Sequence, residues 1–254
     1  MRINVALGIS SDWCEYASIT AASILTHANK EDEYFFYIMS SEITDVHKKM
    51  FYRLNAIKKA TYVFIEMDNS YFDGAIHDWL GVSASYRLRL SSLTDVDKIL
   101  YLDADILAMQ DIAELYSIDV SSYYLAAVRD KCGEMMKCRV KLADEDIFFN
   151  SGMQLINLKK YREDDLEAKF FEKLRISTFY TDQDVLNDIC RGKILPLHLK
   201  YNIMPVAGYI GYEDEYSEAI ANPVLIHFTV KPWKSRCCRM ADKWHECHSK
   251  VMSL

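Results

Sequence analysis

Lys98-Ile99-Leu100-Tyr101-Leu102-Asp103-Ala104-Asp105-Ile106 is the stretch that decides the fold. Residues 99–102 are apolar and bounded by charge, the pattern of a buried parallel strand. Asp103 and Asp105 follow one residue apart, so their carboxylates point to the same side if the extended geometry continues. In open α/β sheets, ligands bind outside the carboxyl ends of the strands. Two carboxylates placed there are unfavourable without a cation to neutralise them. Oxygen ligands of this kind suit Mg²⁺ or Mn²⁺, which usually share their coordination with substrate phosphates. The stretch therefore predicts a metal–diphosphate site on an α/β enzyme. Taken alone, Asp-x-Asp also fits a solvated turn after a strand.

Elements with alternating helix and strand character surround it. Residues 3–9 read as a first strand ending in a loop at 10–14, and 16–28 as a closely packing helix rich in Ala, Ser and Ile. Residues 33–39 and 61–65 read as the next two strands. Between them, Val46, Met50, Phe51, Leu54 and Ile57 keep helical spacing, which predicts a helix near 44–58. This β-α-β-α-β order is the doubly wound pattern. Downstream, a helix is expected at 83–93 and strands at 98–102, 123–128, 152–157 and 224–228. Leu166, Phe170, Phe171 and Leu174 mark one further helix, and Val185, Leu186 and Ile189 another. Residues 130–148 read as a substrate-facing loop, and 237–254 carry no clear assignment.

The chain has 254 residues, enough for one substantial core. It is 50% hydrophobic and 26% charged, ordinary for a globular protein. With 8 Gly and 4 Pro it has little room for long disordered linkers. The net charge of −7 disfavours a nucleic-acid partner. No stretch reaches the roughly 18 uninterrupted apolar residues of a membrane span, and the N-terminus reads as a strand rather than a signal peptide. Seven scattered cysteines point to free thiols in a reducing cytosol.

The company of the Asp-x-Asp raises its meaning. In chain order come Ser85-Tyr86-Arg87-Leu88; the 98–105 stretch; Phe149-Asn150-Ser151-Gly152 with Leu155-Ile156-Asn157-Leu158; Asp182-Gln183-Asp184; Tyr201-Asn202-Ile203-Met204-Pro205; and Ile226-His227-Phe228 with Lys231-Pro232-Trp233. This series resembles the family 8 glycosyltransferases, most nearly the bacterial lipopolysaccharide galactosyl- and glucosyltransferases, over roughly residues 1–235. The resemblance implies a GT-A fold: one α/β, Rossmann-like domain with a mostly parallel mixed central sheet flanked by helices. It implies a nucleotide- and metal-binding half at about 1–130, a donor-sugar and acceptor half at about 131–235, and a C-terminal extension at 236–254. It also implies retaining transfer of glucose or galactose from a UDP-hexose, with Mn²⁺ and with Mg²⁺ as the alternative ion.

Carried onto this chain, the resemblance makes Asp103, Asp105 and His227 the metal ligands. This mixed oxygen and nitrogen set suits Mn²⁺ better than Mg²⁺. Gly8, Ser10, Asp12, Arg87, Ala104, Asn150, Ser151 and Lys231 become donor contacts, with Asp182 and Gln183 nearest the reaction centre. Lys231 and Arg87 can meet growing charge on the leaving diphosphate, one as a point charge and one as a fork. By pattern alone, Asp182 also reads as the N-cap of the helix after it, and Asn150-Ser151 as a turn. Trp13 is a candidate to stack on the base and Trp233 to brace the phosphate loop, with core packing the plainer reading of both.

Two departures stand out. Where the family carries a carboxylate that reads the uracil, this chain has Ser10, with Asp12 two residues on. Between His227 and Lys231 it has Phe228-Thr229-Val230 and lacks the family's usual Gly. The expected acceptor is a growing glycan on lipopolysaccharide, capsule or a glycoprotein, with loops 68–82, 130–148 and 206–222 setting specificity. The expected location is cytoplasmic, at the inner face of the membrane at most, because Arg236, Arg239 and Lys243 form only a thin basic surface. The competing readings are a sugar-nucleotide-binding homologue without activity, a haloacid-dehalogenase-type phosphohydrolase, and, for Cys237, Cys238, His245, Cys247 and His248, a zinc site whose spacing matches no common ligand pattern.

Overall fold

The computed structural model describes residues 1–254 apart from 77–80, 132, 178, 207, 208, 210 and 236, and the side chain at 134. Its strands are β1 (Arg2–Gly8), β2 (Glu33–Ser40), β3 (Thr61–Glu66), β4 (Lys98–Leu102), β5 (Ile106–Ala108), β6 (Leu125–Arg129), β7 (Phe149–Asn157), β8 (Ile194–Leu197) and β9 (Leu225–His227). Seven of them form one sheet in the order β3-β2-β1-β4-β7-β6-β8, and β5 pairs with β9 in a separate ribbon. β3, β2, β1 and β4 run parallel, and β7 lies antiparallel to both β4 and β6. The expected mixed α/β architecture is thus present.

The central strands are apolar on both faces because both faces are covered. Ile3, Val5 and Leu7 of β1, with Leu100 and Leu102 of β4, face one layer, which includes the helix Cys14–His27. Ala6, Ile99 and Tyr101 face the other, where Phe170, Phe171, Val185 and Leu186 pack. The small residues of the Cys14–His27 helix let it approach the sheet closely, and its Thr20 Oγ1 donates to the carbonyls of Ala104 (3.1 Å) and Ile106 (2.7 Å). A first-layer helix therefore holds the backbone that carries the two aspartates.

Several elements differ from the sequence expectation. The run 103–106 does not continue the strand. Ile106 N–H donates to the Asp103 carbonyl at 3.2 Å, closing a tight turn, and it is this turn that keeps both carboxylates together. The loop expected at 10–14 is a 3-10 turn (Ser11–Trp13) that runs straight into the helix. The helix expected at 83–93 is a 3-10 segment (Val82–Arg89) ending in one α-turn (Leu90–Leu93). Ser85, Tyr86, Arg87 and Leu88 are all buried in succession, which a one-sided amphipathic α-helix cannot do. The helix expected to reach residue 58 turns 3-10 at Arg53. Asn150 and Ser151 lie inside β7 rather than in a turn. Within 130–148 a short helix forms at Gly133–Met136. The unassigned tail holds the helix Ala241–Met252, with Trp244 and Val251 buried.

No helix of the described residues is long and apolar enough to cross a membrane. Cys238 lies buried with its thiol on the Val230 carbonyl, and His248 stacks on Trp244, so these two side chains serve packing, while Cys237 and His245 are exposed. Among the described residues, the group of Asp, His, Cys or Glu close enough to share an ion lies elsewhere, at Asp103, Asp105 and His227. Arg236 lies outside the described residues.

Candidate active site

The site sits at the carboxyl ends of β1, β4 and β6, where the strand order around β1 and β4 opens a crevice. A groove there is lined by Gly8, Ile9, Ser10, Trp13, Gly81, Ser83, Ala84, Arg87, Asp103, Ala104 and Asp105. β5 and β9 supply the remaining piece, because their pairing sets His227 opposite Ile106, next to Asp105.

His227 Nε2 lies 3.3 Å from Asp105 Oδ1 and 3.9 Å from Asp103 Oδ2. One ligand atom from each of the three residues falls within 4.8 Å of the others. Asp105 and His227 are buried, yet Asp105 Oδ1 and His227 Nδ1 have no directed hydrogen-bond partner. Buried polar atoms are rarely left so. Two carboxylates and an imidazole with open valence around one point fit a divalent ion. Gly152 makes the cluster possible: a Cβ there would sit 2.3 Å from His227 Cε1 and 2.8 Å from Asp103 Oδ2.

Cations balance these carboxylates. Arg87 Nη2 donates to Asp103 Oδ1 (2.7 Å), where Tyr101 Oη also donates (3.2 Å). Arg87 Nε lies 3.2 Å from Asp182 Oδ2, and Nη1 donates to the Ser151 carbonyl. Burial opposes the Arg87 charge, but Asp103, Tyr101 and Asp182 outweigh it and raise its pKa above the ordinary arginine value. Lys231 Nζ pairs with Asp105 and donates to the Phe228 carbonyl (3.0 Å). Burial pushes Asp105 upward, yet His227 and Lys231 overcome it and hold the carboxyl well below its usual range. For His227, burial is likewise outweighed, by Asp105 and Asp103, and its pKa lies above the ordinary value.

Asp182 and Gln183 open the helix Asp182–Ile189, whose N-cap is Thr181, not Asp182. Ser151 Oγ donates to Asp182 Oδ2 (3.3 Å), and Ser151 N–H donates to Gln183 Oε1 (2.9 Å). Burial, with Asp103 adding to it, raises the Asp182 pKa against the pull of Arg87. Gln183 Nε2 reaches Asp130 Oδ2 at 3.3 Å. Asn150 Nδ2 donates to the same oxygen at 2.8 Å, and Asn202 Nδ2 donates to Asn150 Oδ1 at 2.8 Å.

Of the residues picked from sequence, Asp103, Asp105, His227, Arg87, Lys231, Asp182, Gln183, Asn150 and Ser151 are linked by these contacts. Ser10 and Ala104 line the groove, while Asp12 is exposed, does not line it, and accepts from Ser10 Oγ (2.5 Å). Gly8 lines it too, and its smallness serves close packing: a Cβ would lie 2.9 Å from the Ser83 carbonyl. Trp13 borders the groove and meets Trp233 edge-on at 5.7 Å, and Trp233 stacks on Tyr16 at 4.0 Å. The sequence reading missed Asp130, Gly152 and Asn202. Asp130 directly follows β6, so the rule that located Asp103 would have found it. Gly152 and Asn202 stood in recognised motifs, but nothing local marked the side chains they would meet.

Residues 4–237 match glycosyl transferase family 8. A lipopolysaccharide 1,2-glucosyltransferase of Escherichia coli is 32% identical, over 91% of this chain and 73% of its own length. The galactosyltransferase LgtC, solved with donor and acceptor sugar analogues, superposes with a TM-score of 0.82 at 23% identity, over 99% of this chain and 97% of that one. The bifunctional glycosyltransferase WbbM superposes with a TM-score of 0.86 at 18% identity, over 99% of this chain and 51% of that one. These likenesses give the chain the GT-A fold. The family match replaces the phosphohydrolase reading, in which three strands before the Asp-x-Asp and the whole 227–233 stretch had no role.

Proposed function

The chain belongs to glycosyl transferase family 8, and from that we propose that it moves glucose or galactose from a UDP-sugar to a glycan, with retention of anomeric configuration and with Mn²⁺. The observation that carries the reading is the meeting of Asp103, Asp105 and His227, with Asp105 Oδ1 and His227 Nδ1 buried and lacking a hydrogen bond, beside Arg87 and Lys231. Asp103, Asp105 and His227 would hold the ion, and a bound divalent ion supplies Lewis-acid stabilisation of charge on the leaving diphosphate.

The chain's own residues do the rest. The groove from Gly8 to Ala104 receives the nucleotide, with Trp13 as the aromatic wall for the base. Lys231, one quarter exposed, is near enough to serve the diphosphate, and Arg87 holds Asp103 and Asp182 in place. The burial of this cluster strengthens each charge interaction on the departing group. Asp182 is already engaged by Arg87 and Ser151, and Gln183 by Ser151 and Asp130. A double displacement requires a free nucleophile against the anomeric carbon. The engagement of both residues favours roles in positioning the donor sugar, with Asn150 and Asp130 continuing that surface toward the acceptor.

The acceptor proposed is a lipopolysaccharide, capsule or glycoprotein glycan. UDP release from a panel of UDP-hexoses, with and without Mn²⁺, tests the reading. The expected result is ion-dependent release by the wild type that Asp105→Asn abolishes. Tight ion-dependent UDP binding without release from any donor would favour a binding homologue, and neither binding nor release would overturn the UDP assignment, with Ser10 the first residue to suspect.

A further inference from the structure

The segment 130–148 and the helix Asp182–Ile189 come from distant parts of the chain, and Arg139 joins them. Its Nη2 lies 2.8 Å from Asp184 Oδ2 and donates to the Phe179 carbonyl at 2.6 Å. The Asp184 side chain is 2% exposed. Its Oδ2 also accepts from Thr181 N–H (2.8 Å) and Thr181 Oγ1 (3.0 Å), and Asp184 N–H donates back to Thr181 Oγ1 (3.2 Å). One carboxylate oxygen thus closes the cap of the turn on which Asp182 and Gln183 stand.

On the sheet side, that turn is held by Ser151 and by Asn187, whose Nδ2 donates to the Gln183 carbonyl at 2.9 Å. Across from the sheet, Arg139 supplies the charge that a buried carboxylate needs. At the other end of the same helix, Arg191 Nη2 donates to the carbonyls of Val140 (3.0 Å) and Lys141 (2.9 Å). The segment is therefore fastened to both ends of the helix; of the two arginines Arg139 holds the turn bearing Asp182 and Gln183, and at the segment's start Asp130 accepts from Gln183 Nε2 itself.

We propose that Arg139 is a positioning residue: through Asp184 and the Phe179 carbonyl it sets the turn that aims Asp182 and Gln183 at the donor sugar, and ties that aim to the segment 130–148. This rests on the donor-sugar reading of Asp182 and Gln183 given above. Among the described residues, Arg139 makes no hydrogen bond or ion pair to the nucleotide groove or to the Asp103–Asp105–His227 cluster, so the two halves of substrate binding separate in the test.

UDP affinity in the presence of Mn²⁺, donor turnover, and amide exchange at 181–186 are measured for wild type, Arg139→Gln, Arg139→Lys, Asp184→Asn, the Gln/Asn pair and Arg191→Gln. In Arg139→Gln, turnover is expected to fall about tenfold or more, since small misplacements at a reacting centre carry large rate losses. UDP affinity is expected to stay at the wild-type level while exchange at 181–186 quickens. Arg139→Lys should recover part of the rate through charge without the fork, the pair should be no worse than the worse single variant, and Arg191→Gln should keep its turnover. Wild-type turnover in Arg139→Gln would overturn the proposal, as would a loss of UDP affinity in step with turnover, which marks general loosening. Absence of both UDP binding and turnover in the wild type would instead overturn the donor reading on which the proposal stands.

Discussion

Gly152 shows how a residue with no side chain defines a site. Its α-carbon faces His227 and Asp103 so closely that no Cβ fits. Gly152→Ala is expected to leave the strand β7 paired but to push His227 and Asp103 apart. Displacements of this kind around ligands weaken ion affinity by about 10–100-fold, and Mn²⁺ titration followed by the signal of the free ion measures it. Unaltered affinity in a folded variant would refute the assigned cluster. Asp103 and Asp105 were legible from the sequence because their meaning lies in their position after an apolar strand. Gly152 was not, because the atoms that exclude a larger residue come from 49 and 75 positions away in the chain, at Asp103 and His227.

At the scale of elements, the helix Asp182–Ile189 depends on its cap. Thr181 accepts from Asp184 N–H and Asp184 accepts from Thr181 N–H, a reciprocal pair that satisfies donors the helix cannot. Thr181→Ala is expected to lower stability by about 1 kcal/mol, read as a shift of the urea midpoint at constant slope, and to lower turnover more than UDP affinity. A variant with wild-type midpoint and turnover would contradict the role of the cap. The periodicity of Val185, Leu186 and Ile189 disclosed this helix, though its start one residue before Asp182 is a matter of cap geometry. The 3-10 segment Val82–Arg89 was misread as an α-helix because local spacing carries no record of burial on every side. Arg87, an unlikely core residue by type, is buried there because Asp103 and Asp182 meet it.

Across the whole molecule, the thiols give a test of packing. Burial, with Asp12 adding to it, pushes Cys14 up to about 11; burial pushes Cys190 to about 12 against a hydrogen bond with Tyr161, and Cys247 to about 11 against Lys250. Thiolate is the reactive form, so these three remain thiols through neutral pH and become reactive only as the pH rises toward those values. Cys138 and Cys237 are exposed. At pH 8 an alkylating agent is expected to label Cys138 and Cys237 in the native protein and to reach Cys14 and Cys190 only after denaturation, as mass spectrometry would record. Early labelling of Cys190 would mean that the layer of Tyr161, Phe170 and Leu186 is looser than described.

The sequence by itself determined the α/β class, the strand that ends in Asp103, and the family, because these rest on short-range pattern: apolar runs, helical spacing, and motifs in a fixed order. It also named most of the residues that the site brings together, though not Asp130, Gly152 or Asn202. Only the tertiary structure decided how they meet. The turn at 103–106, not an extended strand, sets the two carboxylates side by side, and the β5–β9 ribbon brings His227 to them across more than a hundred residues. Asp130 joins Asn150 and Gln183, and Arg139 joins Asp184, through the antiparallel β6–β7 pairing and the helix packed beside it. Local preference determines which element a segment becomes, whereas contacts between segments far apart in the chain depend on packing that no window of sequence contains.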